Sequence, residues 1–372
     1  MQIEVYEMNP KESGITITLT AVCDSFSSLL WDVQYYGCGS FEIYIAANAR
    51  NIEIFQTGRI IGRDDDKQHY GIIESVTLET DAENGDYLTV TGRFLMSLLS
   101  RRIIYPTLSF STLTSYADMV RLAVYRNCMQ SDKRQIPGLR HGNTSGTCWE
   151  QKSRLQVSYE NLMEWIFKVC EMIGGTANIR LQETSAGSGI YTMMLDLSQG
   201  RDRSILQDEN AHIVFSDSYC NLLTFGYSMD LSAQKNVAYV LGCGEGAERK
   251  RIVCFRESEP AQLKRYEVYV DAKDISDETQ ENGETVQIPD DDYLGLLMEK
   301  GAENLVPITE ISESTIATDN RQYQYNKDYF VGDYVTIEHE RFGLVQPRIQ
   351  LVGMIESYDQ NGRSLTPTFK GV

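Results

Sequence analysis

A mainly β fold carrying an α+β insertion is predicted by three observations. Apolar and polar residues alternate with period two through the first hundred positions, the spacing lengthens to a helical period between 114 and 173, and a hairpin-like block near residue 71 recurs near residue 353. In the first segment Ile15, Ile17 and Leu19 alternate with Thr16, Thr18 and Thr20, and Phe41, Ile43 and Ile45 alternate with Glu42 and Tyr44, the signature of a half-buried sheet. Ile72 to Leu78 and Tyr87 to Thr91 flank Asn84-Gly85, a pair suited to the positive φ angles of a tight hairpin. From Thr114 or Ser115, either of which caps a helix, Val120, Val124 and Cys128 form one stripe; Ser158 is the expected cap of a second helix carrying Leu162, Ile166, Val169 and Ile173, stopped by Gly174-Gly175. Strands at Ala177 to Leu181 and Tyr191 to Leu197 follow, joined by a Gly- and Ser-rich turn. Further strands are expected up to Val240, at Ile252 to Phe255 and at Tyr266 to Val270, then an exposed loop over Asp271 to Gln287. Pro289 and Asp290 to Asp292 open a short helix carrying Leu294, Leu297 and Leu305, which leads into a final β segment.

The boundaries follow: a first small β-barrel over 1–105, an α+β insertion over 106–200, a β-rich segment completing the barrels over 201–275, a loop and short helix over 276–305, and a second β-barrel segment over 306–372. Two similar barrels are expected because Gly71-Ile72-Ile73-Glu74-Ser75 recurs as Gly353-Met354-Ile355-Glu356-Ser357. Asn84-Gly85-x-x-Leu88-Thr89-x-Thr91 likewise recurs as Asn361-Gly362-x-x-Leu365-Thr366-x-Thr368. The copies differ by five residues between their two blocks, a change that strand extension and turn length absorb.

Composition excludes several functions. With 34 Lys and Arg against 53 Asp and Glu, the formal charge of −19 opposes binding to nucleic acid through phosphate contacts. The start lacks a signal peptide, and no apolar run reaches the roughly 18 residues of a membrane span, so synthesis and folding in the cytosol without membrane insertion are expected. Eight cysteines without a Cys-x-x-Cys pair read as reduced, buried thiols, and His69, His141, His212 and His339 lie in no nucleophile or metal pattern. Gly242-Cys243-Gly244-Glu245-Gly246-Ala247 has the spacing of a dinucleotide fingerprint, but the charged residues after it lead into a strand and not a helix, so an interstrand loop is favoured. Asp64-Asp65-Asp66 and Asp290-Asp291-Asp292 lack the alternating ligands of a calcium loop and read as a turn and a helix start. The 22 tyrosines, Tyr35-Tyr36 among them, supply surface suited to protein or sugar contacts.

Several motifs resemble one family. Ser28-Leu29-Leu30-Trp31, Tyr35-Tyr36-Gly37-Cys38-Gly39-Ser40-Phe41-Glu42, Arg63-Asp64-Asp65-Asp66, Gly71-Ile72-Ile73-Glu74 and Gly92-Arg93-Phe94-Leu95, then Gly244-Glu245-Gly246-Ala247-Glu248-Arg249, Tyr266 to Asp271 and Tyr329 to Val335, are similar to the hubs of phage tails and related injection machines. The resemblance is strongest to prophage-encoded hubs of Gram-positive bacteria, including the hub part of tail-associated lysins. It implies a homotrimer whose paired barrels make a pseudo-six-fold ring at the virion tail tip or baseplate, assembled in the bacterial host cytoplasm. Such a ring joins the tail tube or a distal tail protein to a spike, fibre or lysin component. Lysins continue into hydrolase domains after the hub, whereas this chain runs to Val372 in what reads as a last barrel strand, so lytic function is expected to be absent or on another chain. No catalytic, cofactor-binding or metal residue is nominated. The candidate assembly surface comprises Tyr35, Tyr36, Glu74, Arg249, Lys250, Arg251 and Glu356. The rivals are a cell-wall hydrolase using the acidic clusters and a monomeric carbohydrate-binding receptor module using the tyrosines. The net charge further suggests a channel surface that repels passing DNA.

Overall fold

The computed structural model describes residues 1–11, 14–81, 85–281, 284–316 and 322–371. Strands dominate, and most join one long path of ladders that starts at Thr176–Glu183 and ends at Leu222–Asp230. Among the described residues no ladder closes that path into a barrel.

Within the sheet, counting the branch of Tyr334–His339 and Val214–Ser216 that leaves the path, six strands occur twice in the same order. The first set runs Ser28–Gln34, Ser40–Ala46, Gly85–Phe94, Asp66–Asp81, Ile60–Arg63, Ile3–Lys11; the second runs Leu222–Asp230, Thr309–Ile316, Gly362–Lys370, Leu344–Asp359, Tyr334–His339, Val214–Ser216. Their hairpins superpose residue by residue: Ser75 faces Thr91 as Gly353 faces Thr368, and Asp81 faces Gly85 as Asp359 faces Gly362. Each outgoing strand carries one bulge at the same place, at Glu74 in one set and Val352 in the other. Each is flanked by a glycine with positive φ, Gly58 (88°) donating to the Ile73 carbonyl at 2.8 Å and Gly332 (104°) to the Leu351 carbonyl at 2.6 Å. The sets differ at their last strand, which runs antiparallel in the first and parallel in the second.

This corrects the register read from the sequence. The return strands match as expected, but Ser75 stands where Gly353 stands and not where Ser357 does, so the two Gly-x-Ile-Glu-Ser blocks are displaced by four ladder positions. The predicted Asn84-Gly85 turn falls partly outside the described residues, and the strands it joins are as predicted but longer.

The two sets meet inside the chain. Ser28–Gln34 of the first pairs antiparallel with Leu344–Asp359 of the second, from Gly353 facing Gln34 to Tyr358 facing Leu29. One apolar core lies under the first set around Trp31, Phe41 and Phe94, and a second under the other around Phe215, Leu351 and Phe369.

The insertion has a separate core built on helices Tyr116–Cys128 and Leu162–Ile173. Ser115 caps the first, its Oγ accepting from the Asp118 amide at 3.2 Å. The second is capped by Asn161 rather than Ser158: the Asn161 side-chain oxygen accepts from the amides of Met163 and Glu164 at 3.1 and 3.3 Å, and its amide donates to the Ser100 carbonyl at 2.7 Å. Gly174, at φ 73°, ends that helix as expected. We expect Asn161→Ala to cost about 1–2 kcal/mol in urea unfolding, since it frees two amides and one carbonyl together. The strand Ile190–Ser198 continues from the insertion to Gly14–Cys23, Tyr191 facing Ile15, and Gly14–Cys23 pairs in turn with Ile3–Lys11 of the first set.

A fourth core lies between helix Asp290–Ala302 and a three-stranded sheet of Val237–Leu241, Arg251–Phe255 and Glu267–Asp271. The segment expected as an exposed loop over 271–287 instead buries Ala272 and Ile275 and forms a hairpin from Glu278–Glu281 and Glu284–Gln287, whose tip lies outside the described residues. Leu305 lies beyond the helix end at Ala302. All eight cysteines are unpaired, but Cys220 is exposed and Cys38 and Cys243 half-buried, which corrects the expectation of uniform burial. No helix among the described residues is long and apolar enough to cross a membrane.

Candidate functional site

The seam between the two sets holds a buried charged network. The Arg63 guanidinium, 1% exposed, donates to Glu356 at 3.0 and 3.4 Å, to Asp65 at 2.8 and 2.9 Å and to the Tyr358 hydroxyl at 2.9 Å. It sits over the rings of Trp31 and Tyr358, 5.4 and 5.2 Å from their centroids. Glu356 is fully buried and also accepts from Arg363 at 2.5 and 3.1 Å and from Tyr358 at 3.3 Å. Arg63 thus satisfies its donors with a bidentate fork at Asp65 and another at Glu356, the arrangement a buried guanidinium needs. Burial opposes its charge, but Asp65 and Glu356 hold its pKa above the ordinary value.

Asp66 anchors the turn that presents Arg63. Its carboxylate accepts from the amides of Gln68 and His69 at 2.9 and 3.2 Å, from the Trp31 indole at 3.1 Å, and meets the His69 ring at 2.8 Å. Burial alone pushes this carboxyl up, yet the hydrogen bond and charge of His69, the Gln68 amide and nearby Arg63 bring it down to about 2. A carboxyl with a folded pKa below its ordinary 3.8 binds fewer protons folded than unfolded. It therefore stabilises the fold above pH 4, and that contribution fades as pH falls through about 2. Urea titrations at pH 5 and pH 2 are expected to show wild type losing about 2 kcal/mol more than Asp66→Asn over that interval.

Tyr35 and Tyr36 form a second junction. The Tyr35 hydroxyl donates to the Gly174 carbonyl at 3.1 Å and accepts from the Gly200 amide at 2.9 Å, while the Tyr36 hydroxyl donates to Gln350 at 2.6 Å. One dipeptide just after Ser28–Gln34 thus ties down the insertion and the second set together. Burial holds both phenols above their ordinary range.

These contacts place the residues of the nominated assembly surface. Tyr35 and Glu356 are buried within the chain, because each satisfies polar groups at a junction between segments. Arg249 is spent on its own loop, donating to the carbonyls of Leu241 and Gly242 and to Asp271. Lys250 pairs with Asp290 and lies over the Tyr293 ring. Arg251 is exposed, Tyr36 is half-buried, and exposed Glu74 projects at the bulge, bonded to Arg93 by two contacts of 2.8 Å. The glycine motif is an interstrand loop, with Gly242 packed against Tyr293 and Leu297, where a Cβ would lie 2.4 Å from the Tyr293 hydroxyl.

Sequence reasoning missed the Arg63–Glu356 pair, whose partners are 293 positions apart. The local signal was the family-like Arg63-Asp64-Asp65-Asp66 run itself, with an arginine too close to three acids to be plain surface.

Residues 3–369 match the model of the Siphovirus ReqiPepy6 Gp37-like protein family. The chain belongs to that family. No curated protein matches it significantly in sequence. Among solved structures it is similar to the tail protein from Neisseria meningitidis MC58, with a TM-score of 0.57 at 13% identity over 99% of this chain and 96% of that one. It is similar also to the 43 kDa tail protein of prophage MuSo2 from Shewanella oneidensis (TM-score 0.54, 11% identity, 99% and 98% covered). The prophage tail protein gp18 from Listeria monocytogenes EGD-e gives 0.54 at 10% identity, with 100% and 95% covered. At these identities the likeness is one of fold, and the fold of this Gp37-like chain is that of phage and prophage tail proteins.

In this family member both acidic runs serve the fold. Asp65 and Asp66 hold Arg63 and His69, while Asp290 and Asp292 at the helix start meet Lys250 and Arg154. Among the described residues no cluster of three or more His, Cys, Asp or Glu side chains is placed to share a metal ion.

Proposed function

We propose that this chain is a non-enzymatic hub at the tip or baseplate of a phage tail, a homotrimer whose two sets of strands act as two small barrels. The observation that carries the reading is the twofold occurrence of a six-stranded set with one order and one hairpin register in a single chain. Three such chains present six near-equivalent units around an axis while keeping three-fold symmetry. That is the symmetry needed to join a six-fold tail tube on one side to a three-fold spike, fibre or lysin component on the other. Family membership and the fold shared with tail proteins support a structural role in the virion tail. The net charge of −19 suits a ring whose channel repels DNA on its way through. Electron microscopy of the purified protein tests the reading: face-on averages are expected to show a ring of six similar lobes with alternating detail. Asymmetric single-chain particles at every concentration contradict it.

A further inference from the structure

The seam inside the chain is a template against which the strand left bare at the end of the path can be compared. Leu222–Asp230 is the last strand of the path, with its outer edge unpaired among the described residues. The ladders make it the counterpart of Ser28–Gln34. Leu30 faces Glu42, which faces Thr91, and Gly226 faces Glu313, which faces Thr368. Thus Leu29, Trp31 and Val33 correspond to Phe225, Tyr227 and Met229, and Tyr35 to Leu231. In the first set this row is buried, with Trp31 0% and Val33 6% exposed; in the second Tyr227 is 37%, Met229 55% and Leu231 45% exposed. The same row is covered once and bare once.

Along the outer edge of the first row lies the outgoing hairpin strand of the second set, Gly353 to Tyr358, with Met354, Glu356 and Tyr358 opposite Val33, Trp31 and Leu29. Its counterpart in the first set, Ser75 to Thr80, also has an unpaired outer edge, with Leu78 57% exposed. One bare edge therefore corresponds to each half of a junction the chain already makes. The flanking residues agree: the ladders of Ile60–Arg63 and Tyr334–His339 both shift register after their second apolar residue, which equates Arg63 with Ile337. The positions of the buried pair Arg63–Glu356 thus correspond to Ile337 and Leu78, an ion pair in one case and two apolar residues in the other. Residues 222–229 carry no charge, which is what two chains of −19 each require where they touch.

We infer that Leu222–Asp230 of one copy pairs antiparallel with Ser75 to Thr80 of a second copy of this chain, Met229 facing Val76, Ser228 facing Thr77 and Tyr227 facing Leu78. The contact is heterologous, so it propagates around a ring and leaves neither of these two edges bare once closed. The inference rests on the ring-forming reading and adds to it the identity and register of the contact.

The test is a disulfide between chains in a Cys220→Ser background. Thr77→Cys with Ser228→Cys places two exposed positions directly opposite, about 5 Å apart at Cβ, whereas Thr77→Cys with Thr224→Cys sets them four residues, about 13 Å, out of register. Under mild oxidation the first pair is expected to give covalent dimers and trimers on denaturing gels and the second none. Met229→Lys, at an exposed position, is expected to abolish the oligomer while the far-UV spectrum stays that of the wild type. An oligomer that persists in Met229→Lys and cross-links with neither pair overturns the contact but leaves the ring standing. Absence of any oligomer in the wild type overturns both.

Discussion

Replacing Arg63 by Met is expected to lower the unfolding free energy by about 3 kcal/mol or more, the cost of leaving a buried partner charge with incomplete compensation. Glu356 keeps Arg363 and the Tyr358 hydroxyl, so the loss falls toward the lower end of the usual range, but it forfeits the guanidinium that bridges it to Asp65. Removing both charges behaves differently. Arg63→Met with Glu356→Leu is expected to recover most of the loss, because an apolar pair of similar volume avoids desolvating two ions. Arg363, more than a third exposed in its side chain, then turns to water at little cost. Urea unfolding of the two variants checks both claims, and a single-variant loss below about 1 kcal/mol would show that the network does not carry the seam.

Gly332→Ala and Gly58→Ala occupy matched positions and are expected to differ severalfold. Both glycines have positive φ, so each substitution incurs a backbone strain of about 1 kcal/mol or more. At Gly58 a Cβ meets nothing within 4 Å, and the strain is the whole effect. At Gly332 it would lie 2.2 Å from the Tyr35 ring, which is held through its hydroxyl by Gly174 and Gly200 and cannot move aside. The total at Gly332 is expected to reach about 3–4 kcal/mol, the strain plus an overpacking term. Thermal or urea unfolding of both variants decides whether the Tyr35 junction is as rigid as its contacts imply.

The strands were legible because a half-buried sheet imposes period two on its residues, and the helices because Val120, Val124 and Cys128, like Leu162, Ile166 and Val169, fall on single stripes. The cap at Asn161 was misassigned to Ser158, since both residue types accept amide bonds and only the Ser100 carbonyl distinguishes Asn161. The repeat was visible through its return strands, whose turn chemistry is shared. Its outgoing strands were read four positions out of register, because equivalence there runs through the bulge, Glu74 against Val352, and not through identical residues. Gly58-Arg59-Ile60-Ile61 against Gly332-Asp333-Tyr334-Val335 was the better marker, since both glycines need positive φ. The assembly residues were least legible: Tyr35 and Glu356 have the chemistry of a surface, and only contacts across more than a hundred positions turn them inward.

Light scattering behind size exclusion over a concentration series reports mass without assuming a shape, and so addresses the three-chain ring most directly. A particle of three times 42.2 kDa, about 127 kDa, is predicted. A stable dimer, or a single chain persisting at the highest concentration, would contradict the account.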